Sequence, residues 1–178
     1  MSILKIAKMG HPVLRKVANL VNEPVPDEVN NLVKDMLETL TDLGGGGIGL
    51  AAPQVHVSLR VVIFEVPEDR NSKEKPIPLT VLINPNIEAI GNEKDPDYWD
   101  TDWESCLSVP GLRGLVTRPS QIKYKALNLD GTLIEREAKG LHARVVQHEC
   151  DHLDGILYPQ RMKDLASLQF ISESHHTS

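Results

Sequence analysis

His148 and His152 stand four residues apart in Gln147-His148-Glu149-Cys150-Asp151-His152-Leu153-Asp154-Gly155, with Glu149 directly after the first of them. On a helix, residues four apart lie on one face about a turn apart, so two imidazoles spaced this way converge on one cation. Glu149 is then close enough to handle the proton of a metal-bound water. A catalytic site of the zinc type takes three protein ligands and keeps one position open. The third ligand must come from elsewhere. A metzincin needs a histidine six residues past the second ligand, and that position is Tyr158. Glu173 would be the third ligand of a thermolysin-like zinc endopeptidase, but it lies in the last few residues. His142 is six residues before His148, more than about 200° round the helix. Cys106 is the better candidate, because a thiolate binds zinc and softer divalent metals strongly. Its alternative is a small buried hydrophobe, the commoner state of a free cysteine.

Gly44, Gly46 and Gly49 formally spell the dinucleotide pattern Gly-x-Gly-x-x-Gly. That reading requires a strand before and a helix after. Here a helix pattern precedes the glycines and Pro53 interrupts the segment after them, so nucleotide binding is rejected. The glycines permit close approach by another chain, and Gln54 places a neutral amide donor on a short, tightly packed segment.

Several elements must position these groups. Residues 27–43 have apolar positions at three- and four-residue steps and Gly44 at the C-terminal cap, predicting a helix. Residues 59–66 and 79–83 read as strands, the second ended by Asn84-Pro85, with 67–78 a surface excursion between them. The acidic, aromatic stretch 91–103 reads as a long loop and the segment around Cys106 as irregular. Residues 121–129 and 132–138 flank Asp130-Gly131 as a hairpin. A helix over 140–153, apolar on two faces and hence buried, carries the histidines, with Gly155 able to cap it. Residues 164–171 are expected to form a short last helix and the tail from about 172 to fray. The order predicts one domain over 1–178, α+β in class, with a mainly antiparallel sheet packed around the buried central helix.

The 178 residues carry 19 Lys+Arg against 25 Asp+Glu, a net charge of −6, which argues against general affinity for nucleic acid. No apolar run is long enough to span a bilayer, and no secretory leader pattern is present. Two cysteines, Cys106 and Cys150, do not suggest a disulfide-dependent secreted domain. A cytoplasmic protein is expected.

Three segments together resemble the peptide deformylases: Gly47-Ile48-Gly49-Leu50-Ala51-Ala52-Pro53-Gln54, Glu104-Ser105-Cys106-Leu107-Ser108 and Gln147-His148-Glu149-Cys150-Asp151-His152. The resemblance extends from Gly10-His11-Pro12-Val13-Leu14-Arg15 to Leu157. It implies Cys106, His148 and His152 as metal ligands and Glu149 as general acid/base, with Gln54 and the Leu107 N–H as the oxyanion hole. It implies removal of the formyl group from the N-terminal formyl-methionine of nascent chains. Ferrous iron is the implied metal, replaceable by zinc, nickel or cobalt, and the ribosome near its exit is the implied place of action. Ser105 stands where many members have glycine, and Gly111 where some have an acidic residue. Arg113 matches an arginine at the peptide-binding cleft of relatives. A non-catalytic metal- or peptide-binding module is the non-enzymatic alternative.

Leu141, Arg144 and Val145 lie seven, four and three residues before His148, stacked beside it on the helix. With Ile48 they could line an apolar pocket for an unbranched methionine side chain, or be ordinary core. Ile48-Gly49 and Gly111-Leu112-Arg113 could offer backbone groups to an extended peptide by strand addition.

Overall fold

The computed structural model describes residues 2–44, 47–68 and 75–176. The five antiparallel strands β1 (Gly49–Ala51), β2 (Val61–Val66), β3 (Ile77–Ala89), β6 (Gln121–Leu127) and β7 (Leu133–Lys139) form one sheet in the order β1-β2-β3-β6-β7. A second antiparallel sheet has the order β4-β5-β8, from β4 (Trp99–Cys106), β5 (Val109–Pro119) and β8 (Gln169–Phe170). Strand β2 explains how the first sheet is covered. Val61 and Ile63 face α1 (Asp27–Asp42), while Val62, Phe64 and Val66 face α2 (Gly140–Leu153), following the two-residue period of a strand. All five are fully buried.

The α+β architecture and the buried helix agree with expectation. Helix α1 ends with Gly44 at φ 62°, a left-handed position that suits glycine, and α2 is followed by Gly155 at φ 73°. A Cβ on Gly155 would lie 2.7 Å from the Arg15 carbonyl carbon, so the chain needs glycine there for close approach as well. Among the described residues, no helix is long and apolar enough to cross a membrane.

Four expectations are corrected. Strand β3 does not end at Asn84-Pro85 but bulges there, between Ile83 and Asn86. Asn84, at φ 52°, accepts from Val21 N–H and donates to the Val21 carbonyl, both at 2.9 Å. The expected loop over 91–103 becomes β4 from Trp99 onward, because the buried Glu104 and the half-exposed Asp100 both pair with buried arginines. The irregular segment around Cys106 is the end of that strand, joined to β5 by the turn at Leu107 and Ser108. The last helix is replaced by a 3-10 turn (Leu165–Ser167), strand β8 and a second 3-10 turn (Ile171–His176). Leu168 packs against the cluster of Val109, Val116, Leu157 and Tyr158, which holds this segment along β5. Gly45, Gly46 and residues 69–74 of the expected excursion lie outside the described residues, as do 177–178 of the tail.

Candidate metal centre

Helix α2 presents His148 and His152 from one face, with rings 5.1 Å apart and nearly perpendicular. The end of β4 brings Cys106 to them, and ligand atoms of all three lie within 4.8 Å of one another. Cys106 Sγ is 3.4 Å from His152 Nε2. Tetrahedral bonds of zinc length to sulfur and nitrogen would put the two atoms about 3.6 Å apart, so this edge suits a shared cation. His148 Nδ1 bonds to Glu104 Oε2 at 2.8 Å, leaving Nε2 for a ligand bond, the arrangement in which an outer carboxylate orients a metal-binding imidazole.

Electrostatics set the two histidines apart. Burial pushes His148 down, yet its bonds to Cys106 and Glu104 override this and hold it well above the ordinary histidine range. His152, buried beside that charge, is held well below it and stays neutral. Glu104 is held far below the usual carboxylate range despite burial, by hydrogen bonds to His148 and Arg118. The convergence of one soft thiol and two imidazoles fits a divalent cation.

Glu149 lines the cavity beside His148, in a space made by a glycine. A Cβ on Gly49 would sit 2.3 Å from Glu149 Oε1 and 2.7 Å from its Cδ. The other carboxyl oxygen, Oε2, is buried with no hydrogen-bond partner among the described residues. Burial pushes this carboxyl up to about 7, and the Glu104 charge adds to the rise. An unpartnered buried oxygen is costly unless something brought to the site uses it.

Beside these groups opens a cavity of about 420 Å³, lined in part by Ile48, Gly49, Gln54, Leu107, Gly111, Leu141, Val145 and Glu149. Gln54 Nε2 lies 3.2 Å from Ser108 Oγ and 3.5 Å from Cys106 Sγ, while its Oε1 accepts from Ala51 N–H at 2.9 Å. The cavity thus lies between residues 47–49 and 103–107, and β1 and β4 are terminal strands of their sheets.

Two expected substrate residues are placed differently. Arg144 lines the cavity, but its head is spent: it bonds to Glu104 Oε1 and Asp100 Oδ2 at 2.7 Å each and to the Val116 and Asp100 carbonyls at 3.0 Å. Arg113 is not in the cavity wall. It stacks over Trp103 at 4.2 Å, and the Gln169 amide, with its oxygen toward Arg113, accepts from Nε and Nη2 at 3.0 and 2.9 Å. Strand β8 pairs with Leu112 and Arg113, so that edge is closed to an added peptide. Glu173 is exposed in the last 3-10 turn and is not part of the ligand group, and His142 bonds to Tyr124 OH at 3.2 Å. Sequence reasoning gave no role to Glu104. Two residues before Cys106 on one strand, it faces the same way, a signal available once β4 is known to be a strand.

A family model described as polypeptide deformylase matches residues 3–167. Peptide deformylase 1 of Prochlorococcus marinus is 47% identical over 175 residues, covering 97% of this chain and 88% of that relative. Peptide deformylase 1 of Bordetella pertussis is 47% identical over 166 residues, covering 93% and 90%. A Met-Ala-Ser-bound crystal structure of a class I type b peptide deformylase from Acinetobacter baumannii superposes with a TM-score of 0.80 at 36% identity, covering 90% of this chain and 98% of that one. The likeness spans both sheets and both helices, and this chain belongs to the polypeptide deformylase family.

Proposed function

We propose that this chain is a metal-dependent hydrolase that removes the formyl group from the N-terminal formyl-methionine of nascent polypeptides. The observation that carries the reading is the convergence of three ligand-type side chains with an unpartnered carboxylate oxygen beside one open cavity. Cys106, His148 and His152 would hold one divalent ion, ferrous iron physiologically, with zinc, nickel or cobalt able to replace it. Bound there, such an ion supplies a Lewis acid and lowers the pKa of a coordinated water from 15.7 to about 7.

Glu149 takes the proton of the attacking water and delivers it to the departing α-amine, which must leave protonated. A carboxyl raised toward neutrality by burial is suited to both transfers. The Gln54 amide and the Leu107 N–H donate to the oxygen as it gains charge, and one such donor is worth roughly 3 kcal/mol in protease oxyanion holes. Ile48, Leu141 and Val145 form the wall for the methionine side chain, and Arg144 adds only its aliphatic stem. The peptide backbone lies extended between β1 and β4, at Ile48-Gly49 and past Gly111, so side chains after methionine are read weakly. Nascent chains are the natural substrates, met in the cytoplasm by one domain over 1–178 acting near the ribosomal exit, with no part for a membrane or for sequence-specific nucleic acid binding.

Formate release from formyl-Met peptides by anaerobically iron-loaded protein tests this. The expected result is turnover with little dependence on the third residue, and a Val145→Phe variant that loses methionine and norleucine substrates more than alanine ones. Loaded protein that releases no formate overturns the reading.

A further inference from the structure

Three consecutive residues near the N-terminus each bond to a different part of the site. Ala7 N–H donates to the Gln54 carbonyl and Met9 N–H to the Ser108 carbonyl, both at 2.7 Å. Between them, the Lys8 ammonium donates to the Leu107 carbonyl at 2.9 Å, and Lys8 lines the cavity. This strap joins two segments that no strand pairing joins: Gln54 follows β1 of the five-stranded sheet, while Leu107 and Ser108 follow β4 of the other.

The Leu107 carbonyl shares its peptide unit with Ser108 N–H, which donates to Cys106 Sγ at 3.4 Å. A cation on a peptide oxygen polarises the unit and strengthens its N–H as a donor. Lys8 therefore acts on two things at once: the plane of the turn that carries Leu107, and the hydrogen bonding of the Cys106 sulfur.

We propose that Lys8 is a positioning residue for the reaction, fixing the Leu107–Ser108 peptide against Gln54 and, through Ser108 N–H, tuning the Cys106 sulfur. The proposal rests on the deformylase reading above. An interaction made mainly as charge develops should appear in kcat and not in KM.

The test compares Lys8→Met, Lys8→Arg and, as a control for loss of one positive charge, Lys5→Met, at an equally exposed position of the same segment that does not line the cavity. Lys8→Met is expected to lower kcat about tenfold with KM held within about twofold, the size of one charge-assisted hydrogen bond. Lys8→Arg should recover most of the loss, and Lys5→Met should change neither constant. Cobalt-loaded protein gives a readout independent of turnover. Its thiolate-to-cobalt charge-transfer band should move to lower energy in Lys8→Met, where the sulfur loses hydrogen-bond donation, and return in Lys8→Arg. An unchanged kcat, a loss confined to KM, an equal loss in Lys5→Met, or an unmoved band overturns the proposal. If unaltered protein releases no formate, the functional reading fails, and the cobalt band alone decides the role of Lys8.

Discussion

Toward the five-stranded sheet, α2 packs Ala143, Val146, Cys150 and Leu153 among Val62, Phe64, Leu82 and Tyr124. Toward the three-stranded sheet, it turns Arg144, His148 and Asp151 to Glu104 and Arg118. The first contact is non-directional and gains from area removed from water. The second is built from fixed bonds: Arg118 reaches Glu104 at 2.6 and 3.0 Å and Asp151 at 2.8 Å, and Arg161 reaches Asp151 at 2.6 Å. Buried ion pairs of this kind stabilise little over an apolar replacement, because desolvation offsets the attraction. What they provide here is direction, since Glu104 can orient His148 only while its own carboxylate is held. The two cysteines divide the same way. Cys150 sits in the apolar core with its thiol pKa raised by burial, while Cys106 faces the cavity and the histidines.

The largest expected effect isolates the acid/base from the ligands. Glu149→Ala should keep one metal per chain, measured by elemental analysis, while turnover falls about 10³-fold or more. Metal lost together with activity would move Glu149 into the ligand set. Gly49→Ala should come second, at about 10²-fold in kcat with metal retained, because its Cβ would displace the Glu149 carboxyl. Near-normal turnover would show that this carboxyl need not stay where it lies.

A direct contrast of the two sides of α2 comes next. Arg118→Met strands buried carboxylates and should destabilise by about 3–5 kcal/mol, with metal affinity reduced about 10- to 100-fold. Val146→Ala should destabilise by about 1–3 kcal/mol and leave metal affinity unchanged. Denaturant melts and chelator competition separate the outcomes, and equal losses of affinity would erase the distinction.

The smallest effect is in pH dependence. Glu149, raised from 4.5 to about 7, binds its proton more tightly folded than unfolded. Its contribution to metal-free stability is full below about pH 4.5 and lost as pH rises through 7, with a slope of at most about 1.4 kcal/mol per pH unit. Glu104, lowered, works in the opposite sense: its contribution is present above about 4.5 and lost as pH falls below it. Glu149→Gln should therefore flatten the decline between pH 5 and 7 and spare the acid limb, in urea melts of metal-free protein. Parallel profiles for the two proteins would contradict this.

The apolar side of α2 is legible in the amino-acid pattern, and the helix runs over the residues its periodicity indicates. The ionic side is not. In β4, Glu104 is buried and Asp100 reaches a buried arginine from the rim, whereas alternation patterns assign charged residues to solvent. Their partners Arg118 and Arg144 lie 14 to 44 residues away in sequence, so nothing local announces that the acids are neutralised. Arg144 shows the same limit in reverse. Helical spacing correctly sets it beside His148 but cannot say that its charge is already taken. Lys8 carries no signal at all, since a bond from an ammonium to a backbone carbonyl has no side-chain partner to notice.

X-ray absorption on protein loaded with one zinc per chain tests the central claim most directly. The account predicts one sulfur at about 2.3 Å, two imidazole nitrogens at about 2.0–2.1 Å and one further light atom. A shell without sulfur, or one closed by a fourth protein ligand, would contradict it.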